Sequence, residues 1–531
     1  MSFRLRSLFL VGLGLTALPL ACGSDDSSGG SGGSSTGGSS TGGSSGSGGT
    51  GGSTGGTGGS TGGTGGATGG SSGTGATGGS AGSGGAGATG GAAGSDAGTD
   101  ADDGSTDAGS DASDAGDGGF QACDRFVNAT SGVDTNAGTQ TAPYKTVLKA
   151  SQNVGAGCTI WLFDGTHTIT QATMPANVSL RALNPGAATL DRPGGASPGI
   201  IFPAGGAIDG VKSAVAGALG GIAVQGGTVT ITNTQFQGAV NNGYAFLTVE
   251  QTGKVVLNAP TVSTSWCSGT CTGVVAHVND TAELEVNGGL FSGWLNTYAL
   301  FSSNKGGKLT LKNVTIKDNP AKPVAIALGN SGINLNTSSL KISGSVISAS
   351  GTTNVIDIGW GTPVVEISDT TIEKGGSALY FDGSNYAGVG DQKVTLTNVK
   401  IDQNQRGVHC AVGGYARPVL TLTNSSITAS VSSGVNIMYA AYSSFSMTGG
   451  SISNNGEEGF TSQNSPTVVN ALKLRGVTIS GNQRNGVFVA GGAGSTADLG
   501  ASTGIRATTP SPTTPRRGPP TRVSARPCPR A

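Results

Sequence analysis

Between Val229 and Ile479 the chain repeats one pattern ten times, apolar-x-apolar-x-pivot-x-x-apolar, with pivots at Asn233, Ala259, Gly288, Asn313, Gly344, Asp369, Asn398, Asn424, Gly449 and Gly476. Successive pivots are 26, 29, 25, 31, 25, 29, 26, 25 and 27 residues apart, and all thirty template positions are apolar. The paired apolar residues before each pivot alternate with Thr, Lys, Ser or Glu, which is the period of a half-buried strand and not of a helix. Repeats of this length stack as supersecondary units. No 12-residue stretch carries an apolar stripe at spacing 3 or 4, so leucine-rich, tetratricopeptide and ankyrin units fit poorly. The fold class is therefore all-β, a parallel β-helix of about 12 coils from Ile160 to Val489, each rising about 4.8 Å, the interstrand spacing. Asn, Asp or Gly fills nine of the ten pivots because these residues tolerate left-handed backbone. The asparagines are expected to hydrogen-bond from coil to coil and not to hold a ligand.

Composition divides the 531 residues into four parts. Residues 1–21 carry Arg4 and Arg6 and then an apolar run from Leu8 to Leu20, the pattern of a secretory signal peptide. Residues 22–119 are almost entirely Gly, Ser, Thr, Ala and Asp and cannot bury enough apolar surface to order themselves, so they read as a disordered tether. Residues 120–500 form the β-helix domain, with 120–170 as its N-terminal cap and first coil. Residues 501–531 turn to Thr, Pro and Arg, with nothing apolar to finish a coil. Shifting the reading frame back by one base near Ile505 gives codons compatible with a Pro-Gly-Asn-Asn-Thr-Phe run, so this tail reads as a disordered frameshift product. The net charge of −1 hides acid in the tether and six Arg in the last 26 residues. No basic face with interleaved aromatics is present, which argues against a nucleic-acid partner.

Of the seven cysteines, five lie in the domain. In an exported chain Cys123 with Cys158 and Cys267 with Cys271 are expected to form disulfides, leaving Cys410 odd. A metal at the Cys267/Cys271 pair would have one nearby His, His277, which is too few ligands. No cofactor is expected. Calcium has one place to bind in the tether, where Asp100, Asp102 and Asp103 precede Gly104, but no bidentate Glu follows at the right distance.

The segment Leu18-Pro19-Leu20-Ala21-Cys22 resembles the lipobox of bacterial lipoproteins. That resemblance implies lipidation of Cys22, and Gly23 in place of Asp implies the outer membrane of a Gram-negative cell, with the domain displayed at the surface. A second resemblance rests on Phe126 to Gly138, which holds Ser131-Gly-Val-Asp134-Thr-Asn136-Ala-Gly138, then Ala142-Pro143-Tyr144-Lys-Thr146-Val, and Ile160-Trp-Leu-Phe-Asp-Gly165-Thr. These motifs resemble a bacterial domain of unknown function that opens pectate-lyase-like, right-handed parallel β-helices in exported proteins. His167 stands where that family usually has Tyr. The resemblance implies a short helix, from Thr146 to about Gln152 with Val147 and Ala150 inward, capping the apolar cross-section of the first coil. Asp134 and Asn136 are expected to form turns by bonding their own backbone.

Function has to be argued from a site, because the fold hosts enzymes, adhesins and inert stalks alike. The second inward run of six coils reads Ile356/Ile358, Leu379/Phe381, Val408/Cys410, Val435/Ile437, Phe460/Ser462 and Val487/Val489. The residues between these pairs form an outward ladder of Asp357, Tyr380, His409, Asn436, Thr461 and Phe488. Asp382 lies one step further out, with Arg406 and Asp402 expected in the preceding turn. A rise of about 4.8 Å per coil is close to the length of one sugar residue. Asp357, Tyr380, His409 and Asn436 offer the stacking and hydrogen-bonding groups that sugars need. The ladder points to non-enzymatic surface binding or adhesion, with polysaccharide as the ligand class. The alternative is a polysaccharide lyase or glycoside hydrolase using Asp357, Asp382 and Arg406. A third reading is a structural surface component without a small ligand.

Overall fold

The computed structural model describes residues 119–500 apart from 193–196, 216–220, 238–244, 263–273, 295–298, 320–323, 330–336, 350, 360, 383–389, 411–415, 439, 441–442, 464–469 and 491–494. The signal segment, the tether, Cys22, Cys267, Cys271 and the tail from 501 thus lie outside the described residues. Among the described residues three parallel sheets make up the domain. Sheet A has 15 strands, from Arg125–Val127 to Thr496–Asp498. Sheets B and C have 13 each, from Gly165–Thr168 to Thr478–Ser480 and from Ala172–Thr173 to Val487–Ala490. After the first strand each pairs with the strand three places later, so the chain passes through A, B and C and returns to A one coil on. This is a parallel β-helix.

The repeat explains the coil residue by residue. In each copy the paired apolar residues sit on sheet A and the third on sheet B, and all thirty are at most 3% exposed. All ten pivots between them have left-handed backbone, with φ from 46° to 70°. The asparagine row is interrupted. Asn233 Nδ2 donates to Asp209 Oδ1 at 3.2 Å and Asn398 Nδ2 to Asp369 Oδ1 at 3.0 Å. At Gly344 and Gly449 a Cβ would collide with Oδ1 of Asn313 and Asn424 on the coil before, so these two glycines answer to space as well as to φ. A second left-handed position follows sheet B, at Asp318, Lys374, Gln403, Ala429 and Asn454.

The cap forms as the motifs imply, with one difference. The helix is Val147–Ser151, Thr146 Oγ1 accepts from Lys149 N at 3.1 Å, and Val147 and Ala150 are buried. Asp134 and Asn136 bond the chain opposite and not their own turn. Asp134 Oδ1 accepts from the amides of Lys145 and Thr146, both at 2.9 Å, and Asn136 Nδ2 donates to Pro143 O at 2.9 Å. Together they fasten the first turn to the helix start. Cys123 and Cys158 are disulfide-bonded, with Cα atoms 5.9 Å apart. His167 points inward, 2% exposed, with Nε2 at 2.7 Å from Phe163 O.

Sheet C departs from simple alternation where the chain enters it. Two consecutive residues of each coil join the core, as in Phe246/Leu247, Leu300/Phe301, Ala325/Ile326, Val355/Ile356 and Ala378/Leu379. The amides of Ala325 and Ile326 both bond the Val355 carbonyl, at 2.9 and 3.1 Å, as do those of Gly199 and Ile200 to Gly221 O. This is bulge geometry, which re-aims the preceding side chain. It turns the first residue of the strand outward.

Candidate functional site

Parallel pairing on sheet C sets Asp357 opposite Tyr380, Tyr380 opposite His409, His409 opposite Asn436, Asn436 opposite Thr461 and Thr461 opposite Phe488. Each flanking pair points into the core, so this column faces out. Tyr380 and His409 place their ring centroids 5.7 Å apart at 47°, an aromatic step across two coils.

Arg406 and Asp402 differ from expectation. Arg406 is the first residue of the strand Arg406–Cys410 and not a turn residue, because the entry to sheet C takes two core residues in succession. It pairs with Ser377 on the preceding coil, and the same offset brings Ser433 to the following one. Asp402 ends a sheet B strand, where it accepts from Thr428 Oγ1 at 2.8 Å and pairs with Lys400 at 2.8 Å. It belongs to another face of the helix and leaves the site. Ser377 and Ser433, 2% and 1% exposed, went unrecognised in the sequence. The signal was present as the residue two places before each inward pair.

The electrostatics divide this face. Burial, and then the neighbouring Asp382 carboxylate, push the Asp357 carboxyl up to about 7. Burial, and then Arg406, push the His409 imidazole down to about 4, so it is neutral at physiological pH. Tyr380 is raised by burial and by the Asp382 and Asp357 charges, and stays a phenol. Cys410 lies in the inward column, pushed up to about 12 by burial and by Asp382, and takes no part as a thiolate.

Most telling are the buried polar atoms without a hydrogen-bond partner among the described residues. Asp357 Oδ1, Arg406 Nε, His409 Nδ1, Asn436 Oδ1 and Thr461 Oγ1 are all of this kind, and all lie on the outer face of sheet C. Each such atom costs about 1–3 kcal/mol. Five of them on one face are poorly suited to a face that only fills space, and well suited to one that a hydroxyl-rich ligand completes. Among the described residues no group of three His, Cys, Asp or Glu side chains could hold a metal ion.

Toward the N-terminus the same column changes character. Ala223, Thr248, Ser302 and Ala327 are each at most 7% exposed, and burial pushes His277 down to about 4. Ala327 also packs with Ala245, Val274 and Ala299 beside the column into a small outer apolar cluster with Val324. The first carboxylate of the column comes one coil later, at Asp357.

The family model for the right-handed β-helix region matches residues 331–499, the part of the chain that carries this site. Among solved structures, the A-module of mannuronan C-5 epimerase AlgE6 from Azotobacter vinelandii is 12% identical, with a TM-score of 0.34, covering 65% of this chain and 93% of that one. Pectate lyase Pel9A is 19% identical, with a TM-score of 0.35, covering 55% and 78%. A PL6 alginate lyase solved with a trisaccharide is 13% identical, with a TM-score of 0.29, covering 71% and 87%. No curated protein matches the chain in sequence. Sheet topology and the family model agree that the domain is a right-handed parallel β-helix.

Proposed function

We propose that this is a lipid-anchored cell-envelope protein that binds an extended polysaccharide along the outer face of sheet C. The observation that carries this reading is the row of unpaired buried polar atoms on Asp357, Arg406, His409 and Asn436. They lie on three of four successive coils, the Tyr380 coil standing between Asp357 and Arg406, and coils are spaced by about 4.8 Å, so successive sugar units of a chain lying along the axis meet successive coils. Tyr380 and His409 supply an apolar step for a ring face, and the orphaned atoms supply donors and acceptors for hydroxyls. Cys22 anchors the chain to the outer membrane, and residues 22–119 carry the domain outward to the surface.

Binding and localisation are tested separately. A panel of plant, bacterial and algal polysaccharides is offered to the protein and to Tyr380→Ala. Affinity for one of them, lowered at least fivefold by the substitution, is expected, since a lost stacking contact is worth about 1 kcal/mol or more. Equal affinity in the two proteins refutes the assignment of this face. Cys22→Ser should release the protein from the membrane fraction, and retention there refutes the anchor.

A second reading is favoured by the environment of Asp357. A carboxyl pushed up to about 7 beside an Asp382 carboxylate suits general acid catalysis at neutral pH. New reducing ends or unsaturated products from the same panel would establish cleavage. Asp357→Asn should then abolish turnover while leaving binding in place.

A further inference from the structure

The two ends of the solenoid differ. At the N-terminal end the helix Val147–Ser151 packs against the first strands of sheets A and C, and the inward residues Val127, Ile160, Leu162 and Met174 are at most 1% exposed. At the other end the inward column of sheet C opens coil by coil. Val435 and Ile437 are at most 1% exposed, Phe460 and Ser462 at most 2%, Val487 is 7% exposed, and Val489 is only half-buried. Among the described residues no strand follows Thr478–Ser480 in sheet B or Val487–Ala490 in sheet C. A strand edge offers backbone amides and carbonyls for pairing, and chains that stay apart blunt it with lysine, proline or a bulge. These two strands read Thr-Ile-Ser and Val-Phe-Val-Ala, with no charged residue and no proline. Arg484, at the corner between them, is tied back to Glu457 and Glu458 of the preceding coil at 3.3 and 3.8 Å.

Few segments can complete this end. Residues 501–531 hold seven prolines, and a proline donates nothing to a ladder, so they are a poor source of further strands. The N-terminal end of another copy is closed by its helix, which rules out head-to-tail stacking. The edge that matches is the same one on a second copy. Turned over by a two-fold axis, its strands run antiparallel to these, and antiparallel strands pair without a crossover. Residues directly opposite one another point to the same side of a sheet. Outward Phe488 therefore meets the same residue of the second copy, and inward Val487 meets Val489.

We propose that the chain forms a closed two-fold dimer through the C-terminal edge of its solenoid, centred on Phe488 in sheet C. Such a contact is self-complementary and occupies both edges at once, so assembly stops at two. Sheet C then runs on from one copy into the other, and the two outer columns lie on one continuous face. The dimer does not depend on what that face binds.

The test uses the full chain carrying Cys22→Ser, so that no lipid at that residue contributes to association, in sedimentation velocity over a range of concentrations. A reversible equilibrium between one chain and two is expected, with no larger species. Phe488→Lys and Phe488→Glu each place like charges opposite one another and remove an aromatic pair, and each should weaken the dimer about tenfold or more. An equimolar mixture of the two should restore it, because opposite charges then meet. Phe488 points outward on the last coil of sheet C, so neither change touches the core, and recovery in the mixture also shows that both variants are folded. If either does not fold, Phe488→Ser removes the aromatic pair without adding charge and should weaken the dimer severalfold. The mass of a single chain at about 100 µM overturns the proposal, as do species that grow beyond two, a dimer that every folded variant leaves unweakened, or a mixture no tighter than its components. A dimer that appears only when the chain is cut after Gly500 overturns it as well, since residues 501–531 are then the occupant of this end.

Discussion

Replacing Asp357 by Asn tests the electrostatics of the site without any knowledge of its ligand. The Asp357 carboxyl rises from an ordinary 3.8 to about 7 because burial, and then Asp382, disfavour its ionised form. Folding therefore tightens its hold on the proton. The resulting stabilisation is fully present below pH 3.8 and is lost as pH rises through about 7. At about 1.4 kcal/mol per pKa unit, the gap of roughly three units corresponds to about 4 kcal/mol. Asn cannot ionise, so Asp357→Asn should not lose this contribution and should gain about 4 kcal/mol on the parent between about pH 4 and pH 8. Denaturant unfolding at a series of pH values gives the difference between the two proteins, in which other titrating groups cancel. A difference proton titration of the two folded proteins should show one group with a midpoint near 7. Parallel stability curves, or a group titrating near 4, would refute the reasoning, since Asp357 would then be well solvated or paired. Asp382→Asn should move the midpoint down, because one of its two causes is removed.

Other parts of the molecule give further expected outcomes. Cys123→Ser opens a disulfide spanning 35 residues, and chain entropy for such a loop sets the loss at about 4 kcal/mol, visible as a lower melting temperature that reductant also produces in the parent. Asn398→Val forces a β-branched residue to φ 56° and removes the bond to Asp369, costing about 1–3 kcal/mol in equilibrium unfolding, whereas Asn398→Gly should cost much less. Cys410, buried and pushed up to about 12, should resist thiol reagents until the domain unfolds, and rapid labelling of the native protein would contradict its inward position.

The coil was legible because its signals are short-range. Two residues two apart, a pivot and one residue three further on decide both the inward face and the turn, and these positions are buried and left-handed in every copy. The second left-handed row was not legible. Asp318, Lys374, Gln403, Ala429 and Asn454 share no residue type, so their backbone is set by closure of the coil and not by local preference. Arg406 was misplaced for a related reason. A period of two assigns faces correctly until two consecutive residues enter the core, as at Ala378/Leu379, after which every earlier position is read one step out of register. The column from Asp357 to Phe488 lies after that step and was read correctly. Asp402 lies before it, and only the sheet assignment shows that it belongs to another face.

The point at which the outer column changes character carries as much functional meaning as the residues themselves. From Ala223 to Ala327 it runs Ala, Thr, His, Ser and Ala, flanked by an outer apolar cluster. That flanking cluster gains from being covered, at roughly 25 cal/mol per Å² of apolar surface removed from water. From Asp357 onward, burial brings no such gain, because the buried atoms include carboxylate, imidazole and amide groups without partners. The same coil geometry thus supports outer surfaces that differ in charge. A solenoid whose coils are nearly interchangeable as scaffold can make that switch in one step, since each coil contacts only its neighbours and an outward substitution leaves the core ladder untouched. The outer column is thus free to vary from coil to coil without disturbing the core, and at Asp357 it takes its first carboxylate.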